Sequence, residues 1–461
     1  MPAGIVPRRR HEPFHYYHKA SLAVGLTIGW LLGAIELSAI TFHGAWQSAT
    51  ARLISPALFQ VHGQSQLVGW VGLFIMGIAY QVMPRQRRVA IHTPVMAYAV
   101  LVLMLSGFAL RAIAQPLSGG SGFFGGLTVL SAALELAAVL MFMAGLIRGR
   151  VMADSVQGPE RFSRAALQWL AIALVLNLGA TLYMASLGGS IVPDWLDRCL
   201  IIVELFGFIT TMIFGVNARN LPLFVSVRPS AHAMRPMLTL LAIGTIFAAG
   251  GQVVSLGPAG AAMAVSLAGW LAILAATATY LVAIGLLRPR ARNILPAGHS
   301  GWYEAYVLAA YFWLIVGLLI ETGSLIAALA GSRPPADDLF LAALHAITVG
   351  FVSTMIMGMA ARIVPAFGAT RLYSRKLLIA TWLCITAGTV LRVPSQALYT
   401  VAGGPFASLF GLSGVIQLLA LVLFAINLWR TLDSSAADQA SAVRRAEVVG
   451  IGISSRPGAM R

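Results

Sequence analysis

Twelve apolar runs follow one another along the chain, each close to the length that a single helix needs to cross a bilayer. They fall near residues 20–42, 59–83, 93–114, 124–147, 164–187, 196–219, 236–256, 261–287, 303–329, 340–364, 376–398 and 406–430, and are bounded by Gly, Pro or clusters of Arg. A hydrocarbon core about 30 Å thick requires about 20 apolar residues per helix. Twelve crossings therefore use most of the 461 residues and leave no segment for a separate soluble domain. The chain is 59% hydrophobic and 10% charged, against about 25% charged in an ordinary soluble domain, so a water-soluble globule is excluded. Arg8, Arg9 and Arg10 precede the first run as in a signal peptide, but the run extends from about Lys19 to His43. That is a spanning length and predicts a retained helix.

The formal charge of +16 does not point to nucleic acid, because a basic binding face would gather on a polar domain that this chain lacks. It reads instead as topology. When the ends of the runs are assigned alternately to two faces, only Arg52, Arg111, Arg198, Arg333 and Arg392 of the 31 Lys and Arg fall away from the face that carries both termini. The bias of Lys and Arg toward the cytoplasm predicts a multi-pass protein with both termini cytoplasmic. Residues 1–434 are expected to form one twelve-helix transmembrane domain, and the Ser-, Ala- and Arg-rich residues 435–461 a disordered cytoplasmic tail. Cys199 and Cys384 both lie inside apolar runs, which excludes a disulfide framework or a paired-cysteine metal site. Any metal must be held by His, Glu or Met.

Three of the runs superimpose without gaps: LVGWVGLFIMGIAYQVMPR, LFGFITTMIFGVNARNLPL and ITVGFVSTMIMGMAARIVPA. Their shared frame is Gly69, Gly77 and Pro84, then Gly207, Gly215 and Pro222, then Gly350, Gly358 and Pro365. In the next run, GFALRAIAQ from Gly107 matches GTVLRVPSQ from Gly388, with the weaker GTIFAAGGQ from Gly244 between. The pattern predicts an all-α membrane protein of three pseudo-repeated four-helix units, about 19–150, 160–290 and 301–432. It weighs against the common transporter plan of two six-helix halves. Gly25, Gly29 and Gly33 keep the spacing that permits close helix contact, within the subunit or between subunits.

Of nine histidines, His11, His15, His18, His92, His232 and His299 fall in cytoplasmic segments or at their edges and are expected to be solvated. His62 and His345 instead sit about one turn inside the outer ends of the second and tenth runs. They precede Gly77 and Gly358 by 15 and 13 residues, roughly 22 and 20 Å at 1.5 Å per residue. Either alone could serve as interhelical glue, but two imidazoles at one depth in repeat-equivalent helices can clamp a haem iron between them. Arg111 and Arg392 hold equivalent positions near the outer ends of the third and eleventh runs. They can snorkel to the interface or grip the two haem propionates bidentately, with Gln115 and Gln396 assisting. Glu36, Glu135, Glu204 and Glu321 also lie within runs, where ionisable residues are functional candidates. They could carry protons or pair with the buried arginines, and Glu36, Glu204 and Glu321 with His43 could make a second metal site. Met76, Met355, Met357 and Met359 stand at helical spacing and are read as packing residues rather than copper ligands.

The stretch LHAITVGFVSTMIMGMAARIVPAFG, from Leu344 to Gly368, resembles the signature helix of the NnrS family, haem- and copper-containing membrane proteins linked to bacterial nitric oxide responses. TMIFGVNARNLPLF, from Thr211 to Phe224, resembles that family's sixth helix. HGQSQLVGWVGLFIMGIAYQVMP, from His62 to Pro84, is also similar to the second helix of the catalytic subunit I of haem-copper oxidases and nitric oxide reductases, whose His ligates the low-spin haem. The resemblance implies an oxidase-subunit-I-like fold in the bacterial inner membrane, His62 and His345 as ligands of a haem b, and copper as a second metal. Gln64 and Ser65 stand where the family pattern carries His and Glu. Histidines that would ligate copper on the sixth and seventh helices of an oxidase have no counterpart here, so a complete oxygen-reducing centre is not expected.

The expected function is that of an NnrS-type haem protein, acting in the nitric oxide or nitrosative stress response or in electron transfer. Any enzymatic activity would be that of an oxidoreductase on nitric oxide or a related small molecule. With both axial positions filled, small-gas chemistry would require a ligand to leave or a second metal to act. The alternatives are a twelve-helix transporter without haem, a respiratory reductase subunit with a non-standard second metal, and a partner of a respiratory complex.

Overall fold

The computed structural model describes residues 14–31, 56–87, 94–148, 158, 160–224, 234–254, 259–286, 302–331, 337–368, 370–402 and 404–448. They form twelve helices. Helix α1 is Phe14–Val24, continued by a π-helical stretch Gly25–Leu31. Helix α2 runs Pro56–Gln64, π-helical Ser65–Gly72 and Leu73–Arg87. Then come α3 (Pro94–Leu117), α4 (Gly122–Arg148) and α5 (Glu160–Ser186). Helix α6 runs Asp194–Ile202, π-helical Val203–Thr210 and Thr211–Phe224. After α7 (Met234–Val254), α8 (Ala259–Ala283) and α9 (Trp302–Gly331), α10 runs Asp337–His345, π-helical Ala346–Ser353 and Thr354–Gly368. Helices α11 (Arg375–Ala402) and α12 (Gly404–Val448) complete the bundle. Ten of them, α3 to α12, are long and apolar enough to cross a membrane, which makes this a multi-pass membrane protein.

The even helices α2, α6 and α10 lie inside. In α6 and α10, 89% and 67% of the most apolar window is buried, against 33–50% in the other spanning helices. Their π-helical stretches touch one another at the centre. Gly69, Gly207 and Gly350 are each the fifth residue of such a stretch, and each receives a side chain from the preceding helix. An added Cβ would lie 2.7 Å from Val24 at Gly69, 2.8 Å from Trp169 at Gly207 and 2.6 Å from Trp313 at Gly350. Gly69, Gly207 and Gly350 are therefore close-approach positions, where small residues let membrane helices pack backbone to side chain. Hydroxyls complete the widened turns: Thr211 Oγ1 bonds Phe206 O at 2.8 Å, and Ser353 Oγ and Thr354 Oγ1 bond Thr348 O and Val349 O at 3.1 Å, each five residues back.

In each third of the chain the last two helices pair, α3 with α4, α7 with α8 and α11 with α12. Helices α1 and α12 meet, with Lys19 Nζ 2.6 Å from Asp433 Oδ1. Where the sequence predicts disorder from residue 435, α12 continues to Val448. The segment after Asp433 is rich in Ala, the strongest helix former, which outweighs its polarity. Gly25 and Gly29 meet α2 within the same chain, at Trp70 and at the far end of Gln66.

Candidate functional site

A cavity of about 520 Å³ opens between α2, α10, α11 and α12, with the C-terminal end of α1 and the N-terminal end of α6 at its rim. Its walls are mostly apolar, and His62 and His345 both line it. The two residues that sequence places at similar depth thus line one cavity, and the two-residue offset persists: His62 stands three residues before the π-helical stretch of α2, His345 immediately before that of α10.

Both rings are held in the same way. His62 Nδ1 lies 2.7 Å from Gly29 O and His345 Nδ1 lies 2.8 Å from Leu341 O. A ring nitrogen beside a carbonyl carries the proton and donates it, which leaves Nε2 as the basic, lone-pair nitrogen. Such a donated N–H to a backbone carbonyl is the usual way a metal-binding imidazole is oriented. The close approach of Gly29 to α2 is what brings its carbonyl to His62. Next to His62, Gly63 lines the cavity, and an added Cβ there would meet nothing within 4 Å, so bare backbone faces open space.

Arg392 and Gln396 also line the cavity. Arg392 Nη2 donates to His345 Nε2 at 3.0 Å, and its guanidinium lies 3.9 Å from the Phe410 ring centre. Gln396 Oε1 and, from α12, Gln417 Nε2 are buried at this wall without a hydrogen-bond partner. Buried polar atoms are almost always satisfied, so these two call for a polar ligand. Gln417 was not singled out by sequence, although a Gln in the middle of an apolar run is a usable signal.

Arg111 and Gln115 do not line the cavity. Arg111 is buried, with Nε on Gln115 Oε1 at 2.9 Å and Nη1 on Asn177 Oδ1 at 2.5 Å. Gln115 Nε2 bonds Gln60 Oε1 at 3.0 Å and Ser190 O at 3.3 Å. The matching motifs around Arg111 and Arg392 thus reach different surroundings. Gly107 abuts Glu135 of α4, whereas the equivalent Gly388 abuts Gln417 of α12, so Arg111 meets a polar cluster already closed by α4 and α5. The snorkelling alternative fails for the same reason, since only 3% of Arg111 is exposed.

For the second metal site, Glu36 and His43 lie outside the described residues. Glu204 is buried in the π-helical stretch of α6, and Glu321 is buried in α9; neither lines the cavity. Among the described residues, no three or more His, Cys, Asp or Glu side chains gather as a metal-binding group. Met76, Met355, Met357 and Met359 are buried in the hydrophobic core, as expected of packing residues. His18 is fully enclosed rather than solvated, its ring 4.5 Å from that of Phe74. Its expected cytoplasmic edge is covered by α2, which approaches at Gly77.

A twelve-helix bundle closed on itself around an imidazole-lined cavity defines a polytopic membrane protein with the fold of the haem-copper oxidases. It is similar to a haem-copper terminal oxidase determined by cryo-EM as a dimer, with a TM-score of 0.69 over 92% of this chain and 84% of that one, at 11% identity. At that identity the likeness shows the fold alone. The family model of the NnrS protein matches residues 16–435, and the chain belongs to the NnrS family. No curated protein matches it.

Proposed function

We propose that the protein binds one haem b in the cavity, with Nε2 of His62 and of His345 as the axial ligands, and serves one-electron chemistry in the response to nitric oxide. The observation that carries this reading is that two imidazoles, each oriented through Nδ1 by a backbone carbonyl, line one cavity. Its volume falls within the range of about 300–1,000 Å³ for small-molecule and cofactor sites. The donor set fits the group: two neutral imidazoles for the iron, a guanidinium suited to a carboxylate, and Gln417 with an unpaired Nε2 donor at the same wall. Haem supplies a reversible one-electron couple whose potential the axial ligands and the burial of the site set.

The chain's own residues do the rest. Gly29 and Leu341 fix the tautomer of each imidazole. Arg392 holds the lone pair of His345 and would have to release it for ligation, after which its guanidinium could turn to a propionate. Apolar walls contributed by Leu67, Val71, Val349 and Val352 exclude water. The distribution of Lys and Arg supports placing both termini in the cytoplasm, in a bacterial inner membrane, and the aligned segments support three four-helix units. A redox partner or respiratory complex would supply the electrons. An optical spectrum with iron analysis of wild type beside His62→Ala and His345→Ala tests the reading. Stoichiometric iron with a six-coordinate spectrum, lost in both variants, is expected; no Soret absorption in wild type, or a full spectrum retained in both variants, would overturn it.

A further inference from the structure

The arginine that does not reach the cavity belongs to a buried cluster with a carboxyl group of its own. Glu135, in the middle of α4, is fully buried. Its Oε2 accepts from Gln64 Nε2 at 2.9 Å and from Asn177 Nδ2 at 3.4 Å, while Oε1 has no partner. Asn177 stands between the two charges, accepting from Arg111 on one side and donating to Glu135 on the other. The cluster runs on through Gln115 to Gln60, which lines the cavity, and to Ser190 in the loop after α5. On α2, Gln60 and Gln64 flank His62 at two residues on either side. At the equivalent positions beyond Gly244 and Gly388 stand Ile273 and Gln417, so only the first third of the chain carries an ionisable group there. A buried ionisable group inside a membrane marks a functional site by default, and an unsatisfied oxygen on it calls for an explanation.

We propose that Glu135 is a proton-binding site coupled to the cavity, taking up one proton on its carboxylate when one electron enters the bound haem. The electron comes from an external one-electron donor, in the laboratory a redox mediator, and the proton from solvent at the face where the loop after α5 lies. One negative charge added in the cavity is matched by one removed at Glu135, and no bond to the metal changes. The charged and titratable groups facing Glu135 are Arg111 from α3 and Glu204 from α6, and Glu204 in turn faces Asp197 of the same helix; Gln64 of α2 and Asn177 of α5 face it as neutral amides. Glu204 is the competing proton acceptor.

This inference rests on haem binding, and its test separates the two. Redox titration of the purified holoprotein across neutral pH is expected to show the midpoint potential falling as pH rises. The fall approaches 59 mV per pH unit, the one-electron equivalent of a tenfold change in equilibrium constant. Glu135→Gln flattens the slope and Glu204→Gln preserves it. The reduced-minus-oxidised infrared spectrum is expected to contain a carboxylic C=O band, shifted in D2O and missing from Glu135→Gln. A pH-independent potential in wild type overturns the proposal even if no variant can be made, as does a slope that survives Glu135→Gln or disappears in Glu204→Gln. Haem with a flat potential ends this inference alone; a protein that binds no haem ends both.

Discussion

Arg392 and His345 are joined by a 3.0 Å hydrogen bond in which a guanidinium N–H donates to the imidazole nitrogen that the backbone leaves free. The same guanidinium lies against Phe410, so α10, α11 and α12 are tied together at the wall of the cavity by one side chain. The contact places a permanent positive charge beside the nitrogen that would bind iron.

Arg392→Ala should lower haem affinity by about 10- to 100-fold, because a propionate loses a charge-assisted hydrogen bond worth about 1.5–3 kcal/mol. Arg392→Lys should not restore it, because an ammonium lacks the planar fork that both stacks on Phe410 and grips a carboxylate. Haem titration into apoprotein measures both. Unchanged affinity in Arg392→Ala would leave the arginine as a tie between helices only.

Gly350 and Gly63 should respond in opposite ways to alanine. At Gly350 the new methyl would lie 2.6 Å from Trp313 and 3.1 Å from Thr389, and overpacking of this kind costs about 1–3 kcal/mol. At Gly63 it would meet nothing within 4 Å, and the better helix propensity of Ala offers up to about 1 kcal/mol. Thermal unfolding in detergent ranks the two; equal midpoints would contradict the close packing at the centre of the bundle.

Asn177→Leu removes the bridge between Arg111 and Glu135 and leaves buried polar atoms unsatisfied on both. A loss of about 1–3 kcal/mol is expected, and more if the charged guanidinium finds no substitute. The same unfolding assay checks it, and a neutral result would mean that water replaces the amide.

Lys19→Ala or Asp433→Ala should matter little. The pair that joins α1 to α12 is partly exposed, at 27% and 53% of the two side chains, and exposed pairs contribute about 0–1 kcal/mol. Closure of the ring then depends on helix packing, and a large loss of stability in either variant would contradict that.

Much of the fold was legible because membrane helices advertise themselves by composition, and α2, α6 and α10 because Gly is required where a side chain from the preceding helix crosses them. His62 and His345 were legible for a related reason: depth along a helix is a linear function of sequence, so two residues of similar offset from equivalent glycines fall at one level. Direction around the axis is not. Arg111 and Arg392 share a local motif, but whether the side chain meets a cavity or a polar cluster depends on α4 and α5 in one case and α12 in the other. Asn177, the residue that decides the matter for Arg111, is 66 positions away and carries no charge to announce it. His18 misled for the opposite reason. It lies at a run's polar edge, and nothing in its neighbourhood signals that α2 covers it.

The central claim is that both imidazoles bind one iron. Electron paramagnetic resonance of the oxidised protein at low temperature tests it most directly. The account predicts a low-spin ferric haem signal characteristic of two histidine ligands in wild type, replaced by a high-spin signal, or lost with the haem, in both His62→Ala and His345→Ala. A wild-type spectrum with only high-spin haem, or a low-spin signal that survives either substitution unchanged, would contradict it.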